Sequence, residues 1–88
     1  MNWTVKISPA AEKHYKKLDK KARERIKEKL IELSREQNPL LRKDVKYLTG
    51  ELKNFYRLRV GRYRVVFSLI YNENTIAVVN IAPRGSVY

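Results

Sequence analysis

The chain has 88 residues and a formal charge of +11, from 20 Lys and Arg against 9 Asp and Glu, with no cysteine. Lack of cysteine excludes a disulfide framework, a thiol nucleophile and thiolate metal sites, and fits a reducing compartment. A length of this order predicts one domain over residues 1–88, burying about 60–65 % of the surface that the unfolded chain exposes, and so dense a positive charge favours polyanions through counterion release, with nucleic acid ahead of an acidic protein or an anionic membrane surface.

Trp3, Val5 and Ile7 alternate with polar residues and predict a short strand. Met1–Ile7 lacks the apolar run of a signal peptide, and no segment approaches the roughly 20 apolar residues of a membrane span, so a soluble cytoplasmic protein that engages no membrane is expected. Ser8-Pro9 supplies a hydroxyl N-cap and a proline at the first helical position. The helix that follows carries Ala11, Tyr15 and Leu18 on its buried stripe and stops near Leu18, because Asp19 reads as the cap of a second helix. The second helix runs to about Arg35 on a stripe of Ala22, Ile26, Leu30 and Leu33, and ends before Asn38-Pro39.

Leu40 to Asp44 reads as a loop, Val45 to Leu48 as a brief extended piece, and Thr49-Gly50 as a turn. Two hairpin strands follow, about 54–60 and 63–70, joined at Gly61-Arg62, then a last strand over 75–82 with Pro83 at its end. The fold class is therefore α+β. An N-terminal strand and a helical hairpin precede a three-stranded antiparallel meander, and the helices pack on one face of a four-stranded antiparallel sheet.

The distribution of charge singles out the hairpin. Residues 1–36 hold 11 basic and 6 acidic residues, and the second helix can answer much of its charge through i,i+3 pairs of Lys21 with Glu24, Arg25 with Glu28 and Lys29 with Glu32. Lys53 to Arg64, in contrast, contains five basic residues and no acidic one. With Gly61 first in a two-residue type II′ turn, Val60 pairs with Tyr63, Arg59 with Arg64 and Leu58 with Val65. Tyr56, Leu58, Val60, Tyr63, Val65, Phe67 and Leu69 then face the helices, and Arg57, Arg59 and Arg64 share the opposite face with Phe55, Val66, Ser68 and Ile70. Two arginines directly across a ladder cost roughly a few tenths of a kcal/mol, which points to an anionic ligand. Lys53, Arg62 and Phe55 complete the expected RNA contacts.

Isolated residues carry less. His14 is the sole histidine and has no Cys, Asp or Glu at ligand spacing, so neither a metal site nor a cofactor is expected. Trp3 reads as core or edge packing and Glu51 as a turn acid. Tyr88, on the tail, reads equally as a packing residue or as a functional one that stacks on a base or transfers a proton.

The run Leu48-Thr49-Gly50, the hairpin Phe55-Tyr56-Arg57-Leu58-Arg59-Val60-Gly61-Arg62-Tyr63-Arg64-Val65-Val66-Phe67 and the tail Ile81-Ala82-Pro83-Arg84-Gly85-Ser86-Val87-Tyr88 resemble the RelE branch of the RelE/ParE toxin superfamily. The hairpin motif is shared by both branches, whereas the PRGxxY tail resembles RelE more specifically. The resemblance implies the toxin of a type II toxin–antitoxin system, a metal-independent, ribosome-dependent endoribonuclease that enters the A site. There the 2′-hydroxyl of one mRNA nucleotide attacks its own 3′-phosphate, and translation stops. It implies Arg57 and Arg59 as basic active-site residues, Arg64 as the arginine holding the scissile phosphate, Arg84 as a C-terminal catalytic arginine and Tyr88 as a tyrosine stacked on the RNA. It also implies a RelB-like antitoxin as partner, with ribosome and mRNA as targets. An arginine is a poor general base, which leaves the proton carrier open between Tyr88 and the ribosome. The rival expectations are a ParE-like inhibitor of DNA gyrase and a non-catalytic RNA-binding module.

Overall fold

The computed structural model describes residues 3–50 and 53–83. Strand β1 (Thr4–Ile7) leads into α1 (Pro9–Lys16), whose N-cap Ser8 accepts a hydrogen bond from the Ala11 amide at 3.1 Å. Helix α2 (Lys20–Ser34) starts at Asp19, which has the extended backbone of an N-cap but makes no side-chain capping bond. The two helices are tied at their junction, where the Arg23 guanidinium donates to the Leu18 carbonyl and the Tyr15 hydroxyl donates to the Arg23 carbonyl. Ala22, Ile26, Leu30 and Leu33 are all buried, as the stripe predicts. Among the described residues, no helix is long and apolar enough to cross a membrane.

After a 3₁₀ turn over Pro39–Leu41, the chain continues through β2 (Val45–Tyr47), β3 (Tyr56–Val60), β4 (Tyr63–Ile70) and β5 (Thr75–Pro83). Two features correct the expected sheet. It has five strands, in the order β1-β5-β4-β3-β2, and it is mixed, because β1 runs parallel to β5 while the other pairings are antiparallel. Three residues at 45–47 carry too weak an alternation to announce a strand; β3 supplies the bonding edge that makes them one. The parallel pairing follows from the helical hairpin, which carries the chain away from β1 before the meander returns beside it.

The hairpin register agrees with expectation: Val60 opposes Tyr63, Arg59 opposes Arg64 and Leu58 opposes Val65. Gly61 has φ +56° while Arg62 keeps a negative φ, the pattern of a type II′ turn. The seven residues assigned to the inner face of the hairpin all pack in or against the core, with Ala11, Ile26, Leu30 and Leu33 from the helices and Ile76, Val78 and Ile81 from β5. Between Val66 and Phe67 the pairing shifts, Val66 opposing Asn80 and Phe67 opposing Val78, so Val79 is an extra residue that bends β5.

The start of β2 is held by a polar clasp. Arg42 donates to both carboxylate oxygens of Asp44 at 2.9 Å and to Glu32 of α2 at 3.3 Å, and the Asp44 carbonyl accepts from the Arg59 amide at 2.9 Å. The Arg42 hydrogen bond, outweighing desolvation, lowers the Asp44 carboxyl below its usual range. A lowered folded pKa gives stability that is present above the unfolded value, near 3.8, and is lost as pH falls below it. Asp44→Asn is accordingly expected to cost about 1–2 kcal/mol in urea unfolding near neutral pH, with the gap to the parent protein closing as pH falls through the lowered pKa of the Asp44 carboxyl.

Candidate nucleic-acid interface

Alternation along β3 turns Arg57 and Arg59 to the side of the sheet away from the helices, with buried Leu58 between them on the inner face. On β4 the same alternation gives Arg64 and Val66, opposite Arg59 and Arg57 respectively. Directly opposed side chains stand with Cβ atoms about 4.5–5.5 Å apart, so three guanidinium groups share one small patch. Arg57 and Arg64 are half-buried and Arg59 is exposed. Desolvation, followed by the charges of Arg64 and Arg59, pushes the Arg57 guanidinium below its ordinary value. The folded protein thus holds these charges together at a cost, and an anion placed among them recovers it.

Residue Lys46 joins the patch, opposite Arg57 from β2. Sequence reasoning misses it because nothing local shows that residues 45–47 pair with β3; the one signal is the brief extended piece itself. None of Lys46, Arg57 and Arg59 has an ion-pair partner among the described residues. The floor of the patch is apolar. Val66 is 1 % exposed and Ala82, opposite Arg64, is also buried, although neither belongs to the core under the helices.

The remaining expected site residues are dispersed. Phe55 is half-buried just before β3, its carbonyl accepting from the Leu48 amide, and Lys53 is exposed in the preceding turn. Arg62 lies at the hairpin tip and lines a cavity shared with α2 rather than the arginine patch. Arg84 and Tyr88, with Glu51, lie outside the described residues; Pro83, the last described one, opposes Tyr63 next to the Arg64–Ala82 pair. His14 is exposed, its Nδ1 3.0 Å from the Asn80 side-chain oxygen. Trp3 packs at the core margin, edge-on to Tyr71 at 5.9 Å.

A sheet face of this kind can bind a phosphodiester: fixed cations meet the oxygens while the apolar floor limits solvation. The family model for the ParE toxin of type II toxin–antitoxin systems, parDE, matches residues 5–88. No curated protein sequence matches the chain. Among solved structures, it is similar to the archaeal RelE–RelB complex from Pyrococcus horikoshii, at 32 % identity and a TM-score of 0.80 over 99 % of this chain and 100 % of that one. It is also similar to the RelBE2 toxin–antitoxin complex from Mycobacterium tuberculosis, at 25 % identity and a TM-score of 0.84 over 98 % and 95 %. The isolated RelE toxin of Escherichia coli shares the fold, with a TM-score of 0.73 at 22 % identity over 93 % and 84 %. A family match spanning almost the whole sequence, carried on the same helix-and-sheet frame, makes this chain a type II toxin–antitoxin toxin of the RelE/ParE superfamily.

Proposed function

We propose that the chain, acting as a single domain, is a ribosome-dependent endoribonuclease of the RelE type that cleaves mRNA in the A site. The observation that carries this reading is the convergence of Lys46, Arg57, Arg59 and Arg64 on one apolar-floored face of the sheet. In the proposed reaction the 2′-oxygen attacks the adjacent phosphorus and the bond to the 5′-oxygen breaks. The products are a 2′,3′-cyclic phosphate and a 5′-hydroxyl, with the proton lost from the 2′-oxygen replaced by one delivered to the leaving oxygen. Negative charge grows on the phosphorane, and preorganised cations stabilise it more than they stabilise the ground state. Arg64 would hold the scissile phosphate, with Arg57 and Arg59 beside it. Arg84 and Tyr88 would complete the site from the tail, and Lys53 and Phe55 would extend the RNA track. Arginine moves no proton at neutral pH, so proton transfer falls to Tyr88 or the ribosome. The solved RelE–RelB and RelBE2 complexes support a RelB-like antitoxin as the natural partner, and cytoplasmic action follows from a ribosomal target.

The ParE description of the matching family model favours a second reading, a gyrase inhibitor that leaves RNA intact. Mapping mRNA ends in a translating extract supplied with the toxin decides between them. Cuts in A-site codons bearing cyclic phosphates are the expected result; intact messages alongside gyrase-dependent DNA breaks would establish the rival.

A further inference from the structure

The helix side of the hairpin tip carries a second cationic site. Lys21 and Arg25, one turn apart on α2, and Arg62 of the β3–β4 turn line a cavity of about 350 Å³. The expected pairs of Lys21 with Glu24 and Arg25 with Glu28 do not form; of the three intrahelical pairs in α2, Lys29 with Glu32 is present, at 3.9 Å. None of the three cavity cations has an ion-pair partner among the described residues. Asp19 is the one acid in the wall, and it makes no side-chain capping bond. Packing positions Arg25. A Cβ added to Gly61 would sit 3.4 Å from its Nη1 and 3.6 Å from both Cζ and Nη2, distances so similar that the guanidinium plane must lie across the glycine.

We propose that this cavity docks a backbone phosphate of structured RNA, separately from the arginine patch of the sheet. Three cations against one carboxylate leave a net charge that suits a phosphodiester. Arg62 and Arg64 are two residues apart yet address opposite sides of the hairpin, one toward the cavity with α2 and the other toward the patch with Arg59. The tip therefore offers cations on both sides, as suits an element wedged between two phosphate backbones; a single acidic peptide would have to wrap the turn to meet both. Choosing RNA as the occupant rests on reading the sheet face as RNA-directed.

The test titrates a fluorescent RNA stem-loop, and in a parallel arm a polyglutamate peptide, with the intact toxin over about 50–200 mM salt. Lys21→Gln/Arg25→Gln is expected to weaken stem-loop binding about 10-fold and to flatten the log–log salt slope by about 1–2. Arg25→Lys, which keeps the charge, is expected to retain most of the affinity. Thermal melts confirm that each variant is folded, and Arg57→Ala/Arg59→Ala reports on the sheet face. Unchanged affinity and slope in the Lys21/Arg25 variant, while the Arg57/Arg59 variant binds weakly, would overturn the cavity site and leave the RNA-directed reading standing. Absence of stem-loop binding by the parent protein would overturn both. Loss of polyglutamate binding with RNA binding intact would also overturn the proposal, assigning the cavity to an acidic protein.

Discussion

On the proposed RelE-type activity, Arg64→Ala is expected to lower single-turnover cleavage of ribosome-bound mRNA by about 10²–10³-fold, the loss typical when one preorganised donor to a developing oxyanion is removed. The position explains the size. Arg64 lies opposite Arg59 across the ladder, beside the buried floor of Val66 and Ala82, so a phosphate held there is partly desolvated and each charge counts for more than in water. Arg64→Lys is expected to recover part of the rate, because an ammonium supplies charge without the planar fork that grips two phosphate oxygens together. Fold stability should move little, since alanine at position 64 also removes a like-charge opposition worth a few tenths of a kcal/mol. Full cleavage by a folded Arg64→Ala protein would remove the arginine patch from the mechanism.

Phe67→Ala is expected to have the opposite profile, destabilising the fold by about 3–5 kcal/mol before any question of activity arises. Phe67 is completely buried, lies tilted against Tyr56 with ring centroids 5.7 Å apart and opposes Val78 immediately after the bulge in the β4–β5 pairing. Its ring fills the space between the central strands and the helical layer, and neighbours in a close-packed core relax only partly into the cavity left behind. A domain of this size has roughly 4–13 kcal/mol of stability in total, so the substitution consumes a large share of it and lowers the melting temperature by more than about 10 °C. Leu41→Ala provides the contrast. That side chain is 80 % exposed, and the change should stay within about 0.5 kcal/mol by urea denaturation.

The parts of the fold most legible in sequence were those governed by local chemistry. Ser8-Pro9 starts a helix because a hydroxyl and a proline satisfy the first turn whatever lies beyond it. Gly61 fixes the hairpin register because a glycine first in a two-residue loop suits the primed hairpin turns, and a loop of that length sets Arg59 against Arg64. The apolar stripe of α2 is likewise a matter of period alone. Pairs of charges on α2 were legible only as possibilities, since a lysine or arginine long enough to reach a helical neighbour is also long enough to reach the hairpin tip.

What the sequence by itself determined about this protein is the hairpin: its turn, its register and the side of the strands on which Arg57, Arg59 and Arg64 stand, all properties of residues close together in the chain. Tertiary structure decided that β1 lies parallel to β5, that three residues at 45–47 form an edge strand, that Lys46 joins the arginines, and that Arg62 turns away from them toward Lys21 and Arg25. These depend on contacts between segments far apart in sequence, where backbone edges and long cationic side chains take whichever partner the packed core brings near.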